Sequence, residues 1–376
     1  MQLTKKAVVI GAGIVGLATA RALALKGFKV TIFERSEKAV GASIRNFGMI
    51  WPIGQPEGEL YNRAIRSKQI WKEIADGSGI WFEEAGSLHL AHHQDEWEVL
   101  QELYEIFKTQ GRPVKLLDSE TILSSYNCIK EKGLLGGLFS ETETIVDPRE
   151  AIASIPNYLT EQLGVNFIWC KTITNVESNR VWVNEEIFDT DIVCICSGAD
   201  FEILYPEVFN KLEITKCKLQ MLRFKTNEET RRLGTSLCGG LSLIHYSSFK
   251  AAPSLNQLQK RYDEEMGEYI KWGIHVMVAQ NGNGELTVGD SHEYGLKFDP
   301  FDKAHINELI LKYLDEFTIT NGWKPIETWH GIYPKMTNGQ AGVFMEVDRG
   351  VYIINGLGGA GMTLSFGFAE EVIETI

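Results

Sequence analysis

Cysteine is scarce in this chain. Its six positions, Cys128, Cys170, Cys194, Cys196, Cys217 and Cys238, form no C-x-x-C pair and no Cys/His group with zinc spacing. That argues against a disulfide scaffold and a zinc motif, and a reducing compartment is expected. Positive charge is also short: Lys+Arg is 37 against Asp+Glu 50, a net charge of -13. A broad nucleic-acid footprint needs the opposite balance, although a small basic pocket remains compatible. No apolar run approaches the ~20 residues that span a bilayer, and the opening residues do not read as a signal peptide. A cytoplasmic protein without a membrane span is expected. The sequence has no internal repeat, low-complexity tract or long linker.

What is present is a globular composition. The 376 residues are 44% apolar and 23% charged, with 36 glycines. That length suggests two domains, or one large domain with a second layer built into it.

The opening reads strand, glycine turn, helix, strand. Ala7–Ile10 is a β-branched run, Leu17–Lys26 has helical apolar spacing, and Lys29–Glu34 is a second strand. Between the first two lies Gly11-Ala12-Gly13-Ile14-Val15-Gly16. Gly11 permits the tight turn, Gly13 lets backbone approach a pyrophosphate, and Gly16 lets helix and strand pack. Ile14 and Val15 open the helix, whose free N–H groups face the phosphates. Glu34 ends the second strand, where a carboxylate accepts ribose hydroxyls; Arg35 follows it.

A second glycine-rich helix start closes the chain: Gly356-Leu357-Gly358-Gly359-Ala360-Gly361-Met362-Thr363, after the strand Val351–Asn355. A nicotinamide cofactor needs only one such start. FAD carries an isoalloxazine ring that becomes negative on reduction, and a helix N-terminus aimed at it stabilises that charge. Two weaker signals accompany these. Ser197-Gly198 ends the buried strand Asp191–Cys196. Gly41–Met49 forms a loop expected to bind the cofactor, Ala42 included, in which Ser43 and Arg45 can bind phosphate and Asn46, Phe47, Gly48 and Met49 can reach the ring edge.

Further along, Leu60–Asp76, Asp95–Gln110 and Asp302–Phe317 read as helices, and a turn at Asp147-Pro148 opens another. Trp81–Leu90 reads as a hairpin, and Lys225–Tyr269 as strands and loops. Gly273–Ala279 and Glu285–Gly289 read as a hairpin across Asn281–Gly284.

In this order the motifs resemble the D-amino-acid oxidase, glycine oxidase and sarcosine oxidase family of FAD-dependent oxidoreductases, over nearly the whole chain. The resemblance implies an α/β fold, α+β overall: a Rossmann-like FAD-binding domain with an inserted mixed-sheet substrate domain. The FAD part takes 1–85, 142–215 and 328–376; the substrate part takes 86–141 and 216–327. Arg45–Gln55 and Gly289-Asp290-Ser291-His292-Glu293-Tyr294-Gly295 are similar to a branch associated with phosphonate catabolism. That branch implies oxidation of an aminophosphonate related to 2-aminoethylphosphonate.

Three positions depart from the amino-acid and sarcosine oxidases. Tyr333 stands where an arginine grips the substrate carboxylate, and a hydroxyl cannot form that bidentate pair. Gly331 falls where a cysteine attaches flavin, so non-covalent FAD is expected. Thr287 replaces the oxygen-activating lysine, which leaves O₂ or another electron acceptor open. The catalytic expectation rests on His275 and His245, read as strand residues, with Tyr333 and Arg45. Each histidine reads equally well as a core residue. Trp51, Tyr246 and Trp272 are expected to wall the pocket, and Lys250 is a second cation for an anionic group. No metal is expected, and the oligomeric state stays open. Alternatives are oxidation of a small amino acid, N-methyl amino acid or α-hydroxy acid, a nicotinamide-dependent dehydrogenase, or a non-catalytic flavin-bound redox partner.

Overall fold

The computed structural model describes residues 4–226 and 232–376. Its first sheet has six strands, in the order Val343–Asp348, Val351–Asn355, Ile192–Ile195, Lys6–Ile10, Lys29–Phe33 and Asn166–Ile168. All neighbours are parallel except the first pair. Such a sheet is covered on both faces, so its strands carry continuous apolar runs rather than alternation. Ile192-Val193-Cys194-Ile195 is buried throughout. The helices Ile14–Leu25, Glu59–Ser78, Pro148–Leu163 and Gly361–Glu374 supply one cover, built on Leu17, Leu23, Trp71, Ile152, Leu364 and Phe366. A three-stranded meander, Asn175–Glu177, Arg180–Val183 and Glu186–Asp189, places Val176 and Val181 in the core on the other face.

A second, mixed sheet of nine strands lies beside it. Two of its strands are long, Ile214–Lys225 and Lys324–Met336, and pair antiparallel along their whole length. They place Cys217, Leu219, Met221 and Tyr333 in one small apolar cluster with Ala42, Phe47 and Trp329. The glycine loop near residue 45 and the far sheet therefore meet on these two strands. No helix among the described residues is long and apolar enough to cross a membrane.

Three local expectations are corrected. Trp81–Leu90 is not a hairpin. Phe82–Glu83 pairs with Thr144–Val146, and Ser87–Ala91 pairs with Gly136–Ser140. Gly86, at φ +67 and with no room for a Cβ beside the Ser140 carbonyl, turns the chain from one sheet into the other. Lys225–Tyr269 holds helices, Leu255–Glu265 and Gly267–Lys271, and two 3-10 turns; residues 227–231 lie outside the described residues. Leu255, Leu258 and Tyr262 recur at helical spacing within a very polar stretch, and that stripe was the missed signal. Finally, neither histidine is on a strand. His245 ends the 3-10 turn Gly240–Ile244, and His275 lies two residues before the strand Met277–Gln280.

Candidate active site

The strand Lys6–Ile10 stops at Gly11, and the helix Ile14–Leu25 starts with Gly13 as its cap. Gly13 has no side chain to cap it and no acidic residue sits in its first turn, so the positive end and the N–H groups beyond that of Ile14 stay available to an anion. Ser43 Oγ accepts from the Ile14 N–H at 2.9 Å. The Glu34 carboxylate is pinned at both oxygens, by the N–H groups of Ala12 at 2.9 Å and Ser36 at 3.0 Å. The helix Gly361–Glu374 likewise starts with no side-chain cap and no acid in its first turn. The Asn355 amide donates to the Gly198 carbonyl at 3.0 Å, which ties the Ser197-Gly198 turn to this glycine loop.

These elements open onto one cavity of about 1300 Å³. Gly11, Gly13, Ile14, Val15, Glu34 and Arg35 line one end. Ala42, Ser43, Arg45, Asn46, Phe47, Met49, Ser197, Gly198 and the whole run Gly356–Thr363 line its length. His245, His275 and Tyr333 line it as well, with Trp51, Tyr246 and Lys250. Gly16 and Gly48 do not reach the lumen: a Cβ on either would stand 1.9 Å from a backbone oxygen, Gly11 O and Val146 O respectively. Their role is close packing. Asn46 bonds the Ala42 and Ser43 carbonyls and the Gly48 N–H, so its side chain shapes the loop. Trp272 is not in the lining; it meets His305 edge-on and lies under Lys303. Two glycine-rich helix starts on one cavity, a pinned carboxylate and a volume of about 1300 Å³ fit FAD.

Six cations line the cavity. Arg35, Lys171 and Lys216 are paired with Asp200, Glu186 and Glu202. Among the described residues Arg45, Lys250 and Lys335 face no carboxylate partner; Arg45 donates to the His330 carbonyl at 3.2 Å.

At the far end stands a histidine cluster with one acid. The rings of His245 and His275 stack at 3.8 Å, and His292 lies 4.8 and 5.3 Å from them. Their ligand nitrogens come within 4.8 Å of one another. Imidazole lone pairs lie in the ring plane, so a stacked pair directs them side by side rather than at one ion. Asp290 sits between two rings, with Oδ1 3.1 Å from His275 Nε2 and Oδ2 3.8 Å from His292 Nε2. His292 Nδ1 is 2.9 Å from the Gly273 carbonyl, which can only accept. That assigns the proton to Nδ1 and turns a bare Nε2 toward the carboxyl.

Burial dominates the titration of this group. It pushes Asp290 well above the usual carboxylate range. It holds His275 well below 6.5, with neighbouring histidines adding to the effect, and lowers His292 to about 4. His245, an exposed residue on the cavity wall, is lowered in the same direction, with His275 and His292 adding to the effect. The imidazoles are therefore neutral near pH 7. Asp290 and His292 entered the sequence reading only within a family segment; nothing in their spacing marks them as partners of His275.

Acid should expose the cost of these neutral rings. His89, buried beside Ser242, is lowered to about 3 and His292 to about 4, both from 6.5. A depressed histidine contributes stability above its unfolded pKa that is lost as pH falls below it. Each ring should cost the native state about 3 kcal/mol or more by pH 4 to 3. Thermal melts across pH 7 to 4 should show a steep loss of Tm below 6.5, and a His89→Phe variant should show a shallower one.

A family model described as FAD dependent oxidoreductase (DAO) matches residues 6–375. Curated relatives include the tRNA 5-methylaminomethyl-2-thiouridine biosynthesis bifunctional protein MnmC of Burkholderia lata, 29% identical over 140 residues, covering 35% of this chain and 22% of that one. The protein of the same name from Chromobacterium violaceum is 25% identical over 258 residues, covering 62% of this chain and 36% of that one. The chain thus spans well under half the length of these relatives. Among solved structures, glycine oxidase from Geobacillus kaustophilus superposes with a TM-score of 0.78 at 19% identity, covering 99% of this chain and 95% of that one. L-proline dehydrogenase from P. horikoshii gives 0.79 at 21% identity, with 99% and 92% covered. Iminodiacetate oxidase from Chelativorans sp. BNC1 gives 0.74 at 17%, with 98% and 94% covered. At these identities the likeness is one of fold.

Proposed function

Because this chain belongs to the FAD-dependent oxidoreductase family, matched over residues 6–375, we propose that it oxidises a C–N bond in a small amine carrying an anionic group, an aminophosphonate related to 2-aminoethylphosphonate. The observation that carries the reading is the far end of the cavity. There a cluster of neutral imidazoles backed by Asp290 shares the lumen with cations that no carboxylate compensates. Proteins of the same fold act on glycine, proline and iminodiacetate by name, and the MnmC relatives refer to a methylaminomethyl group, so C–N substrates recur around this chain. A net charge of -13 speaks against tRNA as the substrate here.

In this reading Gly11–Val15, Glu34 and Arg35 hold the dinucleotide end of FAD. Ala42, Ser43, Asn46–Met49, Ser197, Gly198 and Gly356–Thr363 hold its middle and ring. Binding is non-covalent, with Gly331 at the attachment position. FAD held there would supply the two-electron acceptor for a hydride from the carbon that carries nitrogen. The chain's own residues prepare the amine. An ammonium must lose a proton first, and His245 and His275 offer neutral imidazoles to take it. Asp290, 3.1 Å from His275 Nε2, carries the counter-charge when that ring becomes cationic. Tyr333 and Trp51 orient the substrate and keep water out. The imine then takes up water and hydrolyses to a carbonyl and ammonia, or an amine where the nitrogen is substituted.

The test is anaerobic addition of 2-aminoethylphosphonate, its N-methyl and 1-hydroxy derivatives, glycine and sarcosine to the purified holoenzyme. Bleaching of the flavin bands by a phosphonate, and not by glycine or sarcosine, is the expected outcome. Bleaching by the carboxylates alone would move the substrate to small amino acids. A flavin that no amine reduces would end the amine reading.

A further inference from the structure

Lys335 is one of the three cavity cations that face no carboxylate partner among the described residues. It lies two residues after Tyr333 on the strand Lys324–Met336. Residues two apart on a strand share a face, so Lys335 stands on the side that carries Tyr333 into the cavity. The neighbouring strand pairs Cys217 with both Tyr333 and Tyr294, which puts the two phenols on either side of one thiol. Lys335 Nζ reaches Tyr294 Oη at 3.1 Å and rides 4.8 Å above that ring. Tyr333 Oη faces the glycine loop, 3.4 Å from where a Gly359 Cβ would stand. The Lys335 charge is felt at His245 and His292, lowering both.

We infer that Lys335, held by Tyr294 and flanked by Tyr333, anchors the anionic group of the substrate and selects a tetrahedral oxyanion over a carboxylate. This rests on reading the cavity as the site of an anionic amine. The other two uncompensated cations fit less well. Arg45 is held by the His330 carbonyl, and Lys250 is itself exposed, in the 3-10 turn Ser247–Ala251, with no carboxylate to position it. The selectivity follows from donor shape. A guanidinium presents a planar fork that matches the two oxygens of a carboxylate. An ammonium is a compact point charge with three rotatable donors. Together with two hydroxyls from separate strands it meets oxygens arranged in three dimensions, as in a phosphonate or sulfonate.

The experiment titrates the holoenzyme with methylphosphonate and with acetate, and reads the perturbation of the flavin absorption bands, with no turnover involved. Wild-type protein should bind methylphosphonate at least tenfold more tightly than acetate. Lys335→Met should weaken methylphosphonate by 30-fold or more with flavin content and sulfite affinity unchanged. Lys335→Arg should recover part of the loss while narrowing the preference, and Tyr294→Phe should weaken binding severalfold. In turnover, Lys335→Met should raise KM far more than it lowers kcat. Three results would overturn the inference: no perturbation by either anion in the wild type, methylphosphonate binding within twofold in Lys335→Met, or a variant that alters sulfite affinity alone and so serves the flavin. If no amine bleaches the flavin but methylphosphonate binding still depends on Lys335, the anion anchor stands and the amine reading falls.

Discussion

Gly16→Ala should purify colourless. A Cβ at this position would lie 1.9 Å from the Gly11 carbonyl oxygen and 3.0 Å from its carbon. Both are backbone atoms of the turn that ends the first strand, so no side chain can swing aside. The helix Ile14–Leu25 must instead move outward by more than an ångström. Overpacking of this kind costs typically 1–3 kcal/mol where side chains can adjust, and more where backbone must yield. Cofactor binding suffers further, because the displaced N-terminus is the one whose N–H groups face the cavity. Bound flavin should fall from about one per chain to below about a tenth, since roughly 3 kcal/mol is more than a hundredfold in affinity. The ratio of flavin to protein absorbance after gel filtration reads this directly, and Tm should drop with or without added FAD. Gly41→Ala is the matched control: it borders the same cavity, but its added methyl meets nothing within 4 Å. If Gly16→Ala keeps its flavin, the packing account of the turn is wrong.

The features on which this prediction stands were legible in the sequence because each is local. A strand, a glycine turn and a helix within twenty residues carry their own geometry, and so does the glycine run at the far end of the chain. The acid end of the site is different. His245 comes from a 3-10 turn, His275 from the approach to a strand, and Asp290 and His292 from beyond the end of the next strand. Only the tertiary fold brings them together.

Even a correct hairpin does not lead to Asp290. The strands Met277–Gln280 and Leu286–Gly289 pair with Met277 opposite Gly289, so continuing that register sets His275 opposite Ser291. Instead His275 and Asp290 exchange both backbone hydrogen bonds, at 3.3 and 2.9 Å. That exchange marks directly opposed residues, so the pairing slips by one after Gly289. A one-residue slip reverses which face a side chain takes. Asp290 turns toward the histidines because of it, and no periodicity in the sequence records the slip. Lys335 was missed for another reason. Standing one same-face position beyond Tyr333, it lines the cavity only because of where the strand lies in the fold, and nothing in its spacing marks it.

Asp290→Asn should divide stability from activity. The wild-type carboxyl is 5% exposed, and burial raises it well above the ordinary carboxylate range. A raised acid contributes stability below its unfolded pKa that is lost as pH rises through the native value. As pH rises above the unfolded value the native state is therefore progressively destabilised, because His275 and His292 are too neutral to offset a buried carboxylate. Asparagine keeps the shape, never ionises, and can donate its amide to the bare Nε2 of His292. Its Tm should exceed that of the wild type at pH 8, with the gap closing toward pH 4. Catalysis should go the other way. When His275 takes the substrate proton, the carboxylate 3.1 Å from its Nε2 is the counter-ion that makes the imidazolium tolerable in a dry pocket. Without it the flavin-reduction rate should fall about 100-fold, the lower range for losing a proton-transfer group. Stopped-flow reduction with a substrate amine should also lose the rising limb that follows Asp290 ionisation in the wild type. The two readings must move oppositely. A variant that is more stable and equally fast would remove Asp290 from the proton path, and one that is slower and less stable would make it a structural residue of the hairpin. A strained, buried acid retained at the price of stability is what a group selected for chemistry looks like.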